Sequence, residues 1–440
     1  MGDDEVKADA SRVHSFVQTS RLIEGYRYYL IGLMVFAFSF FIHSRCSFCP
    51  AEYSDIYSLF FQVFEFGERW FTGAAASLGL PYVDYRFEYP PVIACLFYAS
   101  SVVSLDLARW TSVTRDTSFY IVFTLAFLLP AYMFYLKAVN DTSNLLNARW
   151  SRLLFAVAGF GISYYVVYNF DIIAIAFAMF SLLLLIRGNA RSAGVLLALS
   201  VASKVVTGVI LLPSLLYLAR RSIRLAVRYF LCFLLGMGAT FGPVYVLART
   251  GLEEMFKWHA AWYCENCFYV MIANDIYSES WRLVSQALMV IIPIAVMLAT
   301  RHANEERTLV RRSLLMVPAI ISVSWVYSPQ MNVMIAPAYL LAAGPLAFGL
   351  LALSDFLNVL IMFFFFRPEM VCSLFRIWEC PGVWWRESPI QWIAFSRIVL
   401  LWVFMVACII SSKSKVRISR FLRTSDAWLA KNTSSESRGR

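Results

Sequence analysis

The sequence predicts an all-α polytopic membrane protein with about 10–13 transmembrane helices. Three observations carry that prediction. The 440-residue chain is 60% hydrophobic and 15% charged, with a mean hydropathy of +0.65, whereas a soluble domain carries roughly 25% charged residues. The apolar residues come in runs long enough for a bilayer core, which takes roughly 20 residues per helix. The short alternating pattern of an outer-membrane barrel is missing.

Apolar spans fall near residues 28–43, 91–108, 117–139, 152–168, 170–187, 193–218, 225–248, 283–299, 309–326, 331–353, 354–366 and 390–410. The first follows a mixed-charge segment without a small-residue cleavage site, so it reads as a retained helix and not a signal peptide. Residues 1–27 form a polar N-terminal segment, 28–410 the integral domain and 411–440 a basic tail. No internal repeat, low-complexity tract or heptad run is visible. The first loop, 44–90, is long for a connection, and long loops are commonly functional. Within it, Ile56, Leu59, Phe60, Val63 and Phe64 stand at helical spacing, which predicts an amphipathic helix over Ile56–Phe71 on the membrane surface.

The formal net charge is +10, but its distribution points away from nucleic acid. Arg220, Arg221, Arg224 and Arg228 form one cluster, and Arg301, Arg307, Arg311 and Arg312 another. A third occupies the tail after Ser411. All three flank apolar spans, as the positive-inside bias and contact with anionic membrane lipids require. The acidic loops 44–90 and 251–282 then lie outside the cytoplasm, with 367–389 on the same side and both termini cytoplasmic. The expected location is the cell membrane, or the endoplasmic reticulum membrane in a eukaryote. Alternation places Arg187–Arg191 outside and Tyr168–Asp171 inside, whereas the charge rule prefers the reverse. A break near Lys204 resolves the conflict only if another span also changes. Asn140-Asp141-Thr142 is a glycosylation acceptor only if its loop faces the lumen.

Several residues are candidates for chemistry. Asp55 opens the amphipathic stretch, where it serves either as a catalytic carboxylate or as an N-cap, a task Ser54 could do equally well. Glu88-Tyr89-Pro90-Pro91 enters an apolar span. The proline pair suits a first helical turn and Tyr89 the interfacial belt, which leaves Glu88 unexplained. Lys204 lies inside an apolar stretch, where an ammonium costs at least ~2.5 kcal/mol and normally faces a polar cavity or a partner. It meets either an anionic ligand or a carboxylate such as Asp171 or Asp106. Ser328-Pro329-Gln330 closes a span beside Trp325 and Tyr327. His259 and Glu265 lie in an outer loop, and a lone His is more often structural than catalytic. Cys46/Cys49, Cys264/Cys267 and Cys372/Cys380 are three pairs in segments placed outside, which favours disulfides over a zinc site. Their connectivity stays open. Walker loops, G-x-G-x-x-G, H-E-x-x-H and G-x-S-x-G are all missing, so neither a nucleotide, a metal nor another cofactor is expected.

Taken in order, Asp55-Ile56-Tyr57, the run Pro81–Pro91, Asn169-Phe170-Asp171, Ser203-Lys204 followed by Leu211-Leu212-Pro213, and Ser328-Pro329-Gln330 resemble the landmarks of GT-C superfamily membrane glycosyltransferases. Within them the chain is most similar to glycosyltransferase family 87, the polyprenyl-phosphate-mannose-dependent mannosyltransferases. The likeness spans about residues 28–340; the 255–282 loop and the segment after 354 fit no family pattern. The resemblance implies an inverting transfer of a hexose, mannose in the family, from a polyprenyl or dolichyl phosphate to a lipid-linked or other glycan acceptor. It implies Asp55 as general base and Lys204, His259 and Arg69 at the donor phosphate. Glu88, Tyr89, Asn169, Asp171 and Gln330 would line the sugar or acceptor pocket. Two other classes compete. A secondary transporter or flippase would explain mid-membrane charges but normally carries internal repeats. A non-catalytic membrane scaffold needs no carboxylate facing a cation.

Overall fold

The computed structural model describes residues 27–45, 52–58, 79–300, 304–342 and 344–411. Among them the regular structure is helical, and no strand forms. The expected helix over Ile56–Phe71 is seen for its first turn, residues 55–58; its remainder, Arg69, Cys46 and Cys49 lie outside the described residues.

The helices are α1 (Arg27–His43), α2 (Pro91–Trp110), α3 (Arg115–Leu146), α4 (Trp150–Ala158) and α5 (Phe160–Tyr165). Next come α6 (Asp171–Ile186), α7 (Ala190–Val201), α8 (Leu211–Arg221) and α9 (Ile223–Ala261). The last are α10 (Glu279–Ala299), α11 (Glu305–Ser322), α12 (Pro345–Phe365) and α13 (Pro389–Ser411). Six of these, α2, α3, α9, α10, α12 and α13, are long and apolar enough to cross a membrane. The chain is a multi-pass, all-α membrane protein.

Contacts sort the helix ends into two sets. Asp55, Tyr168 and Gln330 meet at one end, called here the site end. Tyr28 meets Leu136 and Trp150 at the other, and Arg221 meets Glu305 and Glu306. Arg187 pairs with Asp141 at 2.7 Å, one helical turn beyond Leu136. Tyr168–Asp171 therefore lies at the site end and Arg187–Arg191 opposite. This corrects simple alternation in favour of the charge rule. The Asn140 acceptor triplet sits opposite the site.

Two spans change to make this possible, and the first is 193–218. It breaks at Lys204, whose backbone is extended (φ −155°), followed by a 3-10 turn at Val205–Ile210 and then α8. Ser200 and Thr207 hydroxyls bond each other at 2.8 Å and bond nearby carbonyls, competing with the helical ladder there. The chain thus reaches the site end at Lys204 and returns.

The second is 91–108. The Val92 N–H donates to Ala202 O at the site end, and Phe97 packs on Phe119 with ring centroids 5.0 Å apart. Phe119 is in the first turns of α3, where Tyr120 donates to Phe40 O, also at the site end. If α2 descended beside α3, Trp110 would lie roughly 20 Å below Phe119. Arg115 lies about one turn above it, and five residues span at most ~18 Å. α2 therefore starts and finishes on the site side, and Trp110 is exposed.

The expected division at 353/354 is also corrected. Residues 329–341 are short turns of 3-10 and α-helix, and one helix, α12, covers 345–365.

α9 bends at Ala248 (φ −146°, ψ 46°), and its last turns cross the site end. There Gly251 lies so close to Tyr82 that a Cβ would meet the Tyr82 carbonyl oxygen at 2.1 Å, and Arg86 pairs with Glu254 at 2.8 Å. The Pro81–Pro91 run is thus clamped between α9 and α2.

Candidate functional site

The site is built on the segment 168–171, between α5 and α6. Its Tyr168 carbonyl accepts from Asp55 N–H at 3.1 Å and from Ser54 Oγ at 3.2 Å, which fixes the first loop against the bundle. Ser54 Oγ also accepts from Ile56 N–H at 3.2 Å. Ser54, not Asp55, therefore takes the capping role, and the Asp55 carboxylate is left for other partners.

Those partners come from far along the chain. Asn169 Nδ2 donates to Asp55 Oδ2 at 2.5 Å and Gln330 Nε2 donates to the same oxygen at 3.3 Å. The next two residues reach two further predicted positions. Phe170 meets the Tyr89 ring edge-on at 4.4 Å. Asp171 pairs with Lys204 at 2.9 Å. One tripeptide thus contacts Asp55, Tyr89 and Lys204. The break at Lys204 explains how a lysine inside an apolar run reaches this end.

Lys204 meets a carboxylate of its own chain, as one of the two sequence readings required. The Asp171 side chain is 1% exposed and that of Lys204 16%; the ammonium lies 6.0 Å from the Phe170 ring centre. Asp106 is not its partner and pairs with Arg109. Glu88 sits beside Tyr89 and Trp258. His259 is on the last turns of α9, exposed, with Nδ1 bonded to Met255 O at 2.9 Å.

Glu265 is the residue sequence reasoning left without a role. Its backbone bridges to the segment before Ser328: Glu265 N–H donates to Trp325 O and Tyr327 N–H to Glu265 O. Trp262 Nε1 donates to its carboxylate at 3.1 Å, and Ser328 lies beside it. The flanking Cys264–Cys267 disulfide closes this turn, and Cys372–Cys380 closes another at the same end. The outer cysteine pairs that are described join locally, within each pair. The signal for Glu265 was an acidic residue between two closely spaced cysteines.

Asp55, Glu88 and Glu265 are each half-buried by surface yet enclosed by protein on most sides. Burial pushes the Asp55 carboxyl up to about 7; the Asn169 amide pulls it down, while Glu265 and Glu88 push it further up. Burial raises Glu88 and Glu265 as well. A carboxyl near 7 is half ionised at neutral pH and suits a general base. Among the described residues no cluster of His, Cys, Asp and Glu could hold a metal ion. No protein-family model matches the chain, and no curated protein matches it.

Proposed function

We propose that the protein is an inverting glycosyltransferase that moves a hexose from a polyprenyl or dolichyl phosphate to a glycan or glycolipid acceptor at the extracytoplasmic face. The observation that carries the reading is the convergence on one carboxylate. Asp55, Asn169 and Gln330 come from three of the sequence landmarks and meet at a single oxygen. The charge rule supports the side, because the Arg221 cluster lies at the opposite end.

In this reading the acceptor hydroxyl attacks the anomeric carbon from the face opposite the phosphate. Its oxygen bonds to that carbon, and its proton goes to Asp55. The carbon–oxygen bond to phosphate breaks, and the electron pair leaves with the lipid phosphate. Asn169 and Gln330 orient the base. The Lys204 ammonium, held by Asp171 at 2.9 Å, stabilises the charge that develops on the phosphate. Tyr89 and Glu88 border the sugar. The lipid donor brings its phosphate to the interface, so no nucleotide pocket is required.

The broken helix at Lys204, with a charged pair beside it, also favours a transporter. Purified protein in vesicles, given radiolabelled sugars on a panel of polyprenyl phosphates and membrane lipid extracts as acceptors, separates the two. Product formation lost in Asp55→Asn supports transfer. Movement of label across the bilayer without a new glycosidic product favours the transporter.

A further inference from the structure

A second cation lies behind the site. Arg397, in α13, is 0% exposed. Nη1 donates to Asn358 Oδ1 on α12 at 2.5 Å. Nη2 donates to Asn266 O at 3.0 Å and to Tyr327 O at 3.1 Å. The guanidinium carbon stands 3.5 Å from the Tyr327 ring centre. Asn358 extends the network, donating through Nδ2 to Pro329 O at 2.7 Å. Among the described residues no carboxylate lies within ion-pair distance of Arg397.

A buried guanidinium held only by carbonyls, an amide and a ring is expensive, and such groups inside membrane segments usually serve function. Its partners say which function. Asn266 follows Glu265, and Tyr327 and Pro329 flank Ser328 and precede Gln330. The two segments that carry Glu265 and Gln330, already paired through the backbone of Glu265, Trp325 and Tyr327, are both bonded by this one side chain. The planar fork suits the task, because two donors in fixed geometry set the spacing of two carbonyls.

We infer that Arg397 is a positioning residue: its guanidinium ties the 265–266 turn and the 327–330 turn to α12 and so sets the hydrogen bond from Gln330 to Asp55. This deepens the transferase reading and rests on it for its kinetic arm. The groups acting on the Asp55 carboxyl are Asn169 and Gln330 by hydrogen bond and Glu265, Glu88 and Lys204 through space. Arg397 acts on it through Gln330 and Glu265, without touching substrate.

The test compares the full-length wild type with Arg397→Lys, which keeps the charge and loses the fork. Two readouts are taken on protein that elutes as a single folded species. The first is the pH–rate profile of transfer. kcat should fall roughly 10- to 100-fold with donor KM nearly unchanged, as for a misplaced catalytic group, and the acid limb should move to higher pH. The second needs no activity: labelling of Asp55 by a hydrophobic carbodiimide, which reacts with the protonated carboxyl, followed across pH by peptide mass spectrometry. The half-labelling pH should rise in the variant. An unchanged half-labelling pH overturns the proposal, whether or not transfer is observed. Absence of transfer in the wild type overturns the functional reading alone. If Arg397→Lys does not fold, Asn358→Ala interrupts the same network and is read in the same two ways.

Discussion

Asp55 and Asp355 are both enclosed carboxylates held by neutral donors, yet their surroundings differ in one respect. Asp355, inside α12, accepts from Gly161 N–H at 2.9 Å, Asn332 Nδ2 at 3.1 Å and Tyr339 O–H at 3.3 Å. Its oxygens are used from three directions, and the residue is buried. Gly161 must be glycine to allow this approach, since a Cβ there would meet Asp355 Oδ1 at 2.3 Å. Among the described residues Asp55 has two side-chain donors, both on one oxygen, and it keeps part of its surface open. A closed carboxylate knits helices together. An open one with a proton that comes and goes near neutrality is equipped for chemistry.

The sharpest way to break this comparison is to neutralise each carboxylate. Asp55→Asn should lower transfer roughly 10²- to 10⁴-fold, the range for a general base, while the protein folds and melts no lower than wild type in detergent. A variant with full activity removes Asp55 as the base. Asp355→Ala should do the opposite, destabilising by roughly 3–5 kcal/mol by leaving buried donors unpaired; thermal unfolding and extractable yield measure it. A stable Asp355→Ala protein without transfer would place Asp355 in the site and end the contrast.

A third test uses pH. The base must be ionised, so transfer should rise with pH through a midpoint of about 7. Stability runs the other way. The folded carboxyl titrates above its unfolded value, so ionising Asp55 costs stability progressively from about pH 4 up through about 7. Unfolding measured across that range should show a falling contribution that Asp55→Asn removes. An identical slope in the two proteins means the carboxyl is not perturbed as described.

The smallest effect concerns Lys204. Lys204→Met should raise the apparent donor KM roughly tenfold, about 1.4 kcal/mol, with a smaller change in kcat. An unchanged donor KM confines Lys204 to its pairing with Asp171. Adding Asp171→Asn should recover folding stability without recovering donor binding.

Much of this molecule was legible in its sequence. Run length and hydropathy were enough for the fold class, whereas the ends on which 168–171 and 187–191 lie stayed in conflict between the charge rule and helix counting until the contacts of Asp55 with Tyr168 and of Arg187 with Asp141 decided for the charge rule. Counting failed where length misleads. Residues 91–108 are apolar enough to cross but stay on the site side, and 193–218 is long enough for one helix but breaks at Lys204. Asp355 sat at an assumed boundary between spans, although an acidic residue in so apolar a run was itself the signal. Arg397 offered the same signal within 390–410.

The sequence by itself determined a helical membrane protein, its polarity of charge, and a set of short landmarks holding Asp55, Asn169, Asp171, Lys204 and Gln330. Hydrophobicity is a property of each segment alone, so these could be read locally. The tertiary structure alone decided that Asn169 and Gln330 share one oxygen of Asp55, that Asp171 pairs with Lys204, and that Glu265 and Arg397 belong to the same assembly. Those are contacts between residues distant in sequence, up to 275 positions apart for Gln330 and Asp55. They depend on which helix ends meet, a quantity no single segment carries.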